Sequence, residues 1–339
     1  LNYEPVLLRL HEAGIAQNCG KGNAEALMSI QKPDKIFIAG HRGMVGSALV
    51  RSLEGAGFTK LITRSRKELD LCDSSAVTKF FAKEKPDVVI LAAARVGGIK
   101  ANSDQPVEFL LGNLRIQNNV IPAAHHHGTR KLLFLGSSCI YPRLAAQPIK
   151  EDALLTGPLE PTNEAYAVAK IAGIELCQAY AREFGANFIS AMPTNLYGPN
   201  DDFGLEKSHV LAALLRKAHD AKNSGARELV VWGTGTPRRE FLHVDDCGSA
   251  CLHLLEKYDS PEIINVGCGE DISIRELAEL ICDVVGFDGE LAWDKTKPDG
   301  TPRKLLDVSK LRALGWAPTI PLRDGIARTY DWFLKNIAK

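Results

Sequence analysis

Tyr166 and Lys170 stand four residues apart, so on a helix they share one face about one turn from each other. A lysine ammonium beside a phenol stabilises phenolate, bringing a group that ordinarily titrates at about 10 toward the range of a working acid or base. That spacing is common on exposed helix faces, so it carries weight only in company. Ser137 and Ser138 follow the apolar run KLLFLG, and Gly40-His41-Arg42-Gly43-Met44-Val45-Gly46 follows the run KIFIA. Glycines at G-x-x-G-x-x-G spacing let the backbone turn tightly against a pyrophosphate, whose charge then meets the N–H groups of the helix opening near Met44. Such a loop with a serine, a tyrosine and a lysine could protonate a carbonyl oxygen while a nicotinamide delivers hydride.

The end of the second apolar run reads Thr63-Arg64-Ser65-Arg66. Sites for NAD usually place an acid there to bond the ribose 2′-hydroxyl, whereas an arginine accommodates a 2′-phosphate. The sequence therefore predicts NADP(H), with Arg66 the better candidate and Arg42 a helper from the glycine loop; solvated loop charges are the other reading. Taken alone, Cys139 after a strand suits a small core residue as well as a base, and His209 at a helix start suits a cap as well as an acid. His125-His126-His127 splay around the end of a helix, Cys247 and Cys251 read as packing thiols, and Asp245-Asp246 read as a cap for the helix that follows. No metal site is expected.

Short apolar runs without polar alternation mark strands buried on both faces: KIFIAG, KLIT, DVVILAA, KLLFLGSS and NFISAM. Between them lie amphipathic stretches at 44–57, 74–84, 107–127 and 163–184, which predicts an α/β fold with a doubly wound parallel sheet of Rossmann type. After Gly198 the rhythm changes to a helix at 209–222, a strand in ELVVWG, helices at 245–258 and 273–285, a strand in ELAW and a closing helix at 321–335. Pro and Gly gather between these elements, in GTGTP and KPDGTP, as in loops that line a site. A smaller α/β C-terminal substrate lobe is implied. The expected division is 33–205 plus about 240–268 for the dinucleotide and about 206–239 plus 269–339 for the substrate. Residues 1–30 read as an N-terminal extension, appended or upstream and poorly ordered, in which 13–27 could form a marginal helix.

Of 339 residues, 41 are Lys or Arg and 41 Asp or Glu, so neither a nucleic-acid partner nor a membrane surface is indicated. No apolar stretch approaches the ~20 residues that cross a bilayer. Eight cysteines without a C-x-x-C read as reduced thiols in the cytoplasm.

The segments FIAGHRGMVGSA, LAAARVGGIKAN, LLFLGSSCIYP, EPTNEAYAVAKIAGIELC, MPTNLYGPND, SHVLAALLRK, VVWGTGTPRREFLHVDD and KPDGTPRKLLD run from about 35 to 335. Through them the chain resembles the extended short-chain dehydrogenase/reductase family, and within it the enzymes that act on GDP-4-keto-6-deoxy-D-mannose as 3,5-epimerases and NADPH-dependent 4-reductases. The resemblance implies Cys139 as base and His209 as acid for both inversions, and Ser137, Tyr166 and Lys170 for the reduction, with His209 also beside the cofactor. It adds Asp70, Leu71, Leu135, Gly136, Pro193, Thr194, Asn195 and Leu196 to the cofactor site. For the GDP end it implies Lys217, Trp232, Arg239 and Asp299, with Lys304 a further charge for the diphosphate; Lys217 is a point charge where bacterial members carry Arg. It also implies a homodimer through the helices at about 107–127 and 163–184. Within the same family the alternative is a nucleotide-sugar 4-epimerase, which would need an acid after the second strand. Outside enzymes it is a non-catalytic dinucleotide sensor, which would commonly lack the Tyr or the Lys.

Overall fold

The computed structural model describes residues 29–204, 208–297 and 299–338. The expected extension up to Leu27 and its marginal helix lie outside the described residues. The packed chain begins before the expected boundary at 30: Ile30 is buried and the Ser29 carbonyl accepts from Arg130 at 2.7 Å.

The first part runs β1 (Ile36–Ala39), α1 (Met44–Gly55), β2 (Leu61–Ile62), α2 (Ser74–Glu84), β3 (Val88–Leu91), α3 (Ile99–Asp104), α4 (Pro106–His126), β4 (Lys131–Leu135), α5 (Glu164–Phe184) and β5 (Asn187–Pro193). The chain continues through β6 (Asn195–Tyr197), α6 (Val210–Ser224), β7 (Glu228–Trp232), β8 (Arg238–His243), α7 (Val244–Lys257) and β9 (Ile263–Val266). It closes with β10 (Asp271–Ser273), α8 (Ile274–Val285), β11 (Glu290–Asp294), β12 (Arg303–Lys304), α9 (Ser309–Ala313) and α10 (Leu322–Asn336).

Six parallel strands form the main sheet in the order β2-β1-β3-β4-β5-β9. Side chains alternate across a strand, so the continuous apolar runs feed two cores at once. Phe37, Phe134 and Phe188 pack with Phe81, Val120 and Ile174 on one face. Ile36, Leu133 and Ile189 pack with Leu49, Cys251 and Leu254 on the other. A doubly wound sheet results. Short strands survive here because helices cover both faces.

The smaller lobe has its own core, in which Leu214, Leu215, Val231, Leu277, Ile281 and Phe333 bring α6, α8 and α10 together over β7. The runs ELVVWG and ELAW pair with each other, as β7 and β11, parallel over five residues. Unforeseen was a second small sheet, β10-β8-β12 with β6 beside β8. Its strands are two to six residues long, too short to leave a period in the sequence.

The expected cap of α7 is corrected. His243 holds that position, its Nδ1 accepting from the Asp245 N–H at 3.2 Å, while Asp245 pairs with Arg51 of α1. Asp246 is buried and accepts from the Thr319 N–H and hydroxyl and from the Ile320 N–H, all within 3.1 Å. Already inside the first turn, its carboxylate points out of its own helix and fixes the segment leading into α10. Among the described residues, no helix is long and apolar enough to cross a membrane.

Replacing Asp246 by Ala removes the acceptor of three hydrogen bonds. Thr319 is exposed and Ile320 half-buried, so water can take over from the carboxylate and each lost bond costs about 0.5–1.5 kcal/mol. The variant should lose about 3 kcal/mol of unfolding free energy, read from its urea midpoint. A midpoint equal to wild type would show that these bonds hold nothing.

Candidate active site

At the end of β1 the chain enters a tight turn. Gly40 has φ +89°, a region that favours glycine, and a Cβ there would lie 2.8 Å from the Ala93 backbone after β3. A Cβ at Gly46 would lie 2.1 Å from the Gly40 carbonyl oxygen, so α1 can fold over the strand end only with glycine at that position. Gly43 stands at the N-cap, with no side-chain cap and no acid in the first turn. The positive end of the α1 dipole is therefore left for an external anion, between β1 and β3, where the strand order reverses.

Gly40, Gly43, Met44, Val45 and Gly46 line a cleft of about 1030 Å³, as do Arg66, Asp70 and Leu71 beyond β2. His41 and Arg42 do not: the Gly43 N–H bonds back to the Gly40 carbonyl at 3.0 Å, and the two residues between form the outer bend of that turn. Burial, then the Arg42 charge, pushes His41 below its usual value. Of the two arginines after β2, Arg64 is tied to Glu84 at 2.8 Å, whereas the Arg66 side chain is 76% exposed and lies 3.6 Å from Asp70.

Leu135 ends β4, Gly136 and Ser137 follow, and a single 3₁₀ turn over Ser138–Ile140 carries Cys139. The Cys139 N–H donates to Ser137 Oγ at 3.2 Å. Asn163, at the N-cap of α5, makes no cap bond; its amide donates to Cys139 Sγ at 3.2 Å. Tyr166 and Lys170 follow on successive turns of α5, as their spacing requires. Their electrostatics depart from expectation. Burial pushes the Tyr166 phenol well up, Cys139 adds to this, and only the Ser137 side chain pulls it down. Lys170, with its ammonium on the Leu135 carbonyl at 2.7 Å, is pushed down to about 8 by burial. Both groups are enclosed and the ammonium faces a carbonyl rather than the phenol oxygen, so burial shifts each toward its neutral form.

The smaller lobe closes over this group. Lys304 of β12 lies beside Arg239 of β8 in register, yet its ammonium donates to Cys139 Sγ at 3.5 Å. Lys304, expected to offer charge to the diphosphate, lines the cleft; its charge stands at the thiol and also lowers His209. His209, at the start of α6, is walled in though open to cleft solvent; burial, then Lys304, lower its pKa and Asp202 raises it. Two turns on, Lys217 donates to the Val230 carbonyl at 3.1 Å and lies 5.3 Å from the ring centre of Trp232. Trp232 is 51% exposed and has Lys297 at 5.5 Å from its ring centre. Both Asp299 oxygens already bond Thr234, at 2.7 and 2.8 Å, so Asp299 fixes its own loop and keeps only spare lone pairs for a ligand.

Leu135, Gly136, Ser137, Cys139, Tyr166, Lys170, His209, Lys217, Trp232, Arg239 and Asp299 share the cleft wall with Pro193, Thr194, Asn195 and Leu196. Sequence reasoning missed Asn163 and Glu240. Glu240 is wholly buried, and its carboxylate accepts from the Gly269 N–H at 2.7 Å and the Leu306 N–H at 3.0 Å. On the same small sheet, Arg238 and Arg303 converge on Asp271. A paired acid within RREF was the one available signal, and it does not say what Glu240 holds.

The family model for NAD dependent epimerase/dehydratase proteins matches residues 36–267. The chain belongs to the NAD dependent epimerase/dehydratase family. Within it, the chain is 62% identical over 306 residues to GDP-L-fucose synthase 1 of Arabidopsis thaliana, covering 90% of this chain and 95% of that protein. It is 56% identical over 311 residues to GDP-L-fucose synthase of Escherichia coli K12, covering 89% and 97%. Among solved structures, a GDP-L-fucose synthetase from Naegleria fowleri bound to NADP superposes with TM-score 0.85 at 32% identity, covering 92% and 97%.

Removing the Lys304 charge removes one of the two influences that hold His209 down, so Lys304→Met should move the His209 midpoint upward in a histidine NMR titration. Asp202→Asn should move it downward. A midpoint unmoved in both variants would place these charges too far away to matter.

Proposed function

We propose that the chain catalyses 3,5-epimerisation of GDP-4-keto-6-deoxy-D-mannose and then NADPH-dependent reduction of the C4 ketone, giving GDP-L-fucose. The observation that carries this reading is the meeting of three reactive groups in one cleft: Cys139, Tyr166 and His209 all line it, and the Lys304 ammonium donates to Cys139 Sγ from the same wall. The relatives of high identity share the assignment by name.

A ketone at C4 acidifies the hydrogens on C3 and C5. Cys139 removes each, with the Lys304 ammonium and the Asn163 amide to meet negative charge on sulfur, and His209 returns a proton to the opposite face. The raised Tyr166 keeps its proton near neutrality and can donate it to the C4 oxygen, which Ser137 also bonds. The tight turn that Gly40 and Gly46 permit, the uncapped α1 and the exposed Arg66 fit NADP(H), with pyrophosphate at the loop and Arg66 on the 2′-phosphate. NADPH, when bound, supplies the hydride for C4. Lys170 would hold its ribose, and Pro193 to Leu196 would flank the nicotinamide. Residues 33–205 with about 240–268 carry the dinucleotide, and about 206–239 with 269–339 carry the GDP end, where Lys217, Arg239 and Trp232 offer charge and a flat ring. The seven cysteines among the described residues are free thiols, which suits work in the cytoplasm.

Incubation with GDP-4-keto-6-deoxy-D-mannose and NADPH in D₂O tests the reading. Wild type should consume NADPH and label C3 and C5. Tyr166→Phe should lose net reduction by about a hundredfold or more while still labelling both carbons, and Cys139→Ser should lose the labelling. Arg66→Ala should narrow the preference for NADPH over NADH. Full labelling in Cys139→Ser, or reduction surviving in Tyr166→Phe, would contradict the assigned roles.

The reading includes a homodimer through α4 and α5, supported by exposed Val107 (67%) and Val168 on these helices. The protein should elute at twice the chain mass of 36.9 kDa at micromolar concentration; elution as a single chain would count against it.

A further inference from the structure

Cys139 borders two spaces. Besides the cleft it lines a small cavity of about 40 Å³. Asn163, Glu160 and Thr301 belong to both walls, so the two spaces meet at the thiol. Arg143 and Arg303, both exposed, line only the small cavity and form its outer rim. Its volume exceeds the roughly 10–15 Å³ that one water requires. Its wall is polar. Asn163 Oδ1 is buried without a hydrogen-bond partner among the described residues, as befits an acceptor for water. Glu160 Oε2 faces Arg143 Nε at 3.2 Å and the Thr301 hydroxyl at 3.4 Å, and its Oε1 accepts the Thr162 hydroxyl at 3.1 Å.

The double inversion makes a demand that one base and one acid cannot meet by themselves. After the first inversion Cys139 holds the proton taken from carbon and His209 has lost the one it gave. The second inversion cannot start until both are reset. His209 opens to cleft solvent and can regain its proton there, whereas a sugar presented to Cys139 would cover the cleft side of the thiol. We propose that the cavity is the route by which Cys139 returns its proton to solvent between the two inversions, with Glu160 as acceptor; this rests on the epimerase reading above. The S–H bond breaks as its proton passes to a water oxygen in the cavity, and that water gives one of its own protons to the Glu160 carboxylate. Glu160 then releases the proton to bulk water past Arg143, and the thiolate is restored. Nothing is oxidised or reduced.

Glu160→Gln keeps the size and removes the acceptor. In a single turnover with GDP-4-keto-6-deoxy-D-mannose and NADPH in D₂O, the full-length variant should make the first inversion near the wild-type rate. The second should slow by about a hundredfold, so that reduced sugar inverted and labelled at one carbon accumulates. Added formate, a small diffusible base, should restore the doubly inverted product, a response that a merely structural defect would not give. Thr301→Ser, which keeps the hydroxyl, should behave as wild type. Doubly inverted product from Glu160→Gln at the wild-type ratio would overturn the route. So would an equal loss of both inversions and of reduction that formate does not relieve. If wild type labels neither carbon, the epimerase reading fails first and takes the route with it.

Discussion

Glu240 is a carboxylate with no exposure to solvent, and where it is held decides where the chemistry can happen. An ionised carboxyl buried without partners would be several kcal/mol too costly to keep. Burial does push this group upward, and the N–H groups of Gly269 and Leu306 pull it back. Those donors come from the turn after β9 and from the residues just past β12, so one side chain pins two separate stretches onto β8. The fit is close: a Cβ at Gly267 would lie 2.2 Å from Glu240 Oε1. The Glu240 carbonyl also accepts from Asn195 at 2.8 Å, which ties the same point to the end of the main sheet. Anchoring β12 in this way sets Lys304 3.5 Å from the sulfur in the turn after β4.

Burial sets the character of the reducing pair. Two neutralising environments, not a stabilised phenolate, surround Tyr166 and Lys170 before any ligand arrives. A phenol held protonated is the form that can give a proton to a carbonyl oxygen, and a lysine at about 8 needs little to change its charge. Cationic partners for the sulfur come from elsewhere, from Lys304 across the lobe boundary. One cleft thus keeps a proton on the phenol oxygen at one point and sets an ammonium beside a sulfur at another. The separation follows from which groups the ammonium ions touch.

The architecture was largely legible because it rests on periods and glycines. Runs such as DVVILAA could only be strands covered on both faces, and the turn geometry at Gly40 and Gly46 follows from a spacing visible in the sequence. Tyr166 and Lys170 were legible as neighbours, since four residues on a helix fix their relation, but their electrostatics were not, since burial has no local signature. The contact of Lys304 with Cys139 and the parts played by Asn163 and Glu240 were missed, and Asp246 was misassigned, for a shared reason. Each acts on a partner 24 to 165 residues away in sequence or holds backbone in another element, and no spacing rule reaches so far. Asp246 shows this most plainly: its position predicts a cap, yet the donors of Thr319 and Ile320 take its carboxylate instead.

The proposed double inversion also gives a reason for two lobes. Inverting a carbon requires that the proton leave one face and return to the other, so base and acid must stand on opposite sides of the ring. Neighbours on one strand end would crowd the same face. Here the thiol is carried by the main sheet, in the turn after β4, and the imidazole by the smaller lobe, at the head of α6. A sugar lying between the lobes meets one on each side. The same division lets Lys304 reach across and act on both, holding charge near the sulfur while keeping the imidazole below its ordinary value, so that His209 gives up its proton readily. Opposed faces and a shared cation follow from docking one small sheet onto the end of a larger one.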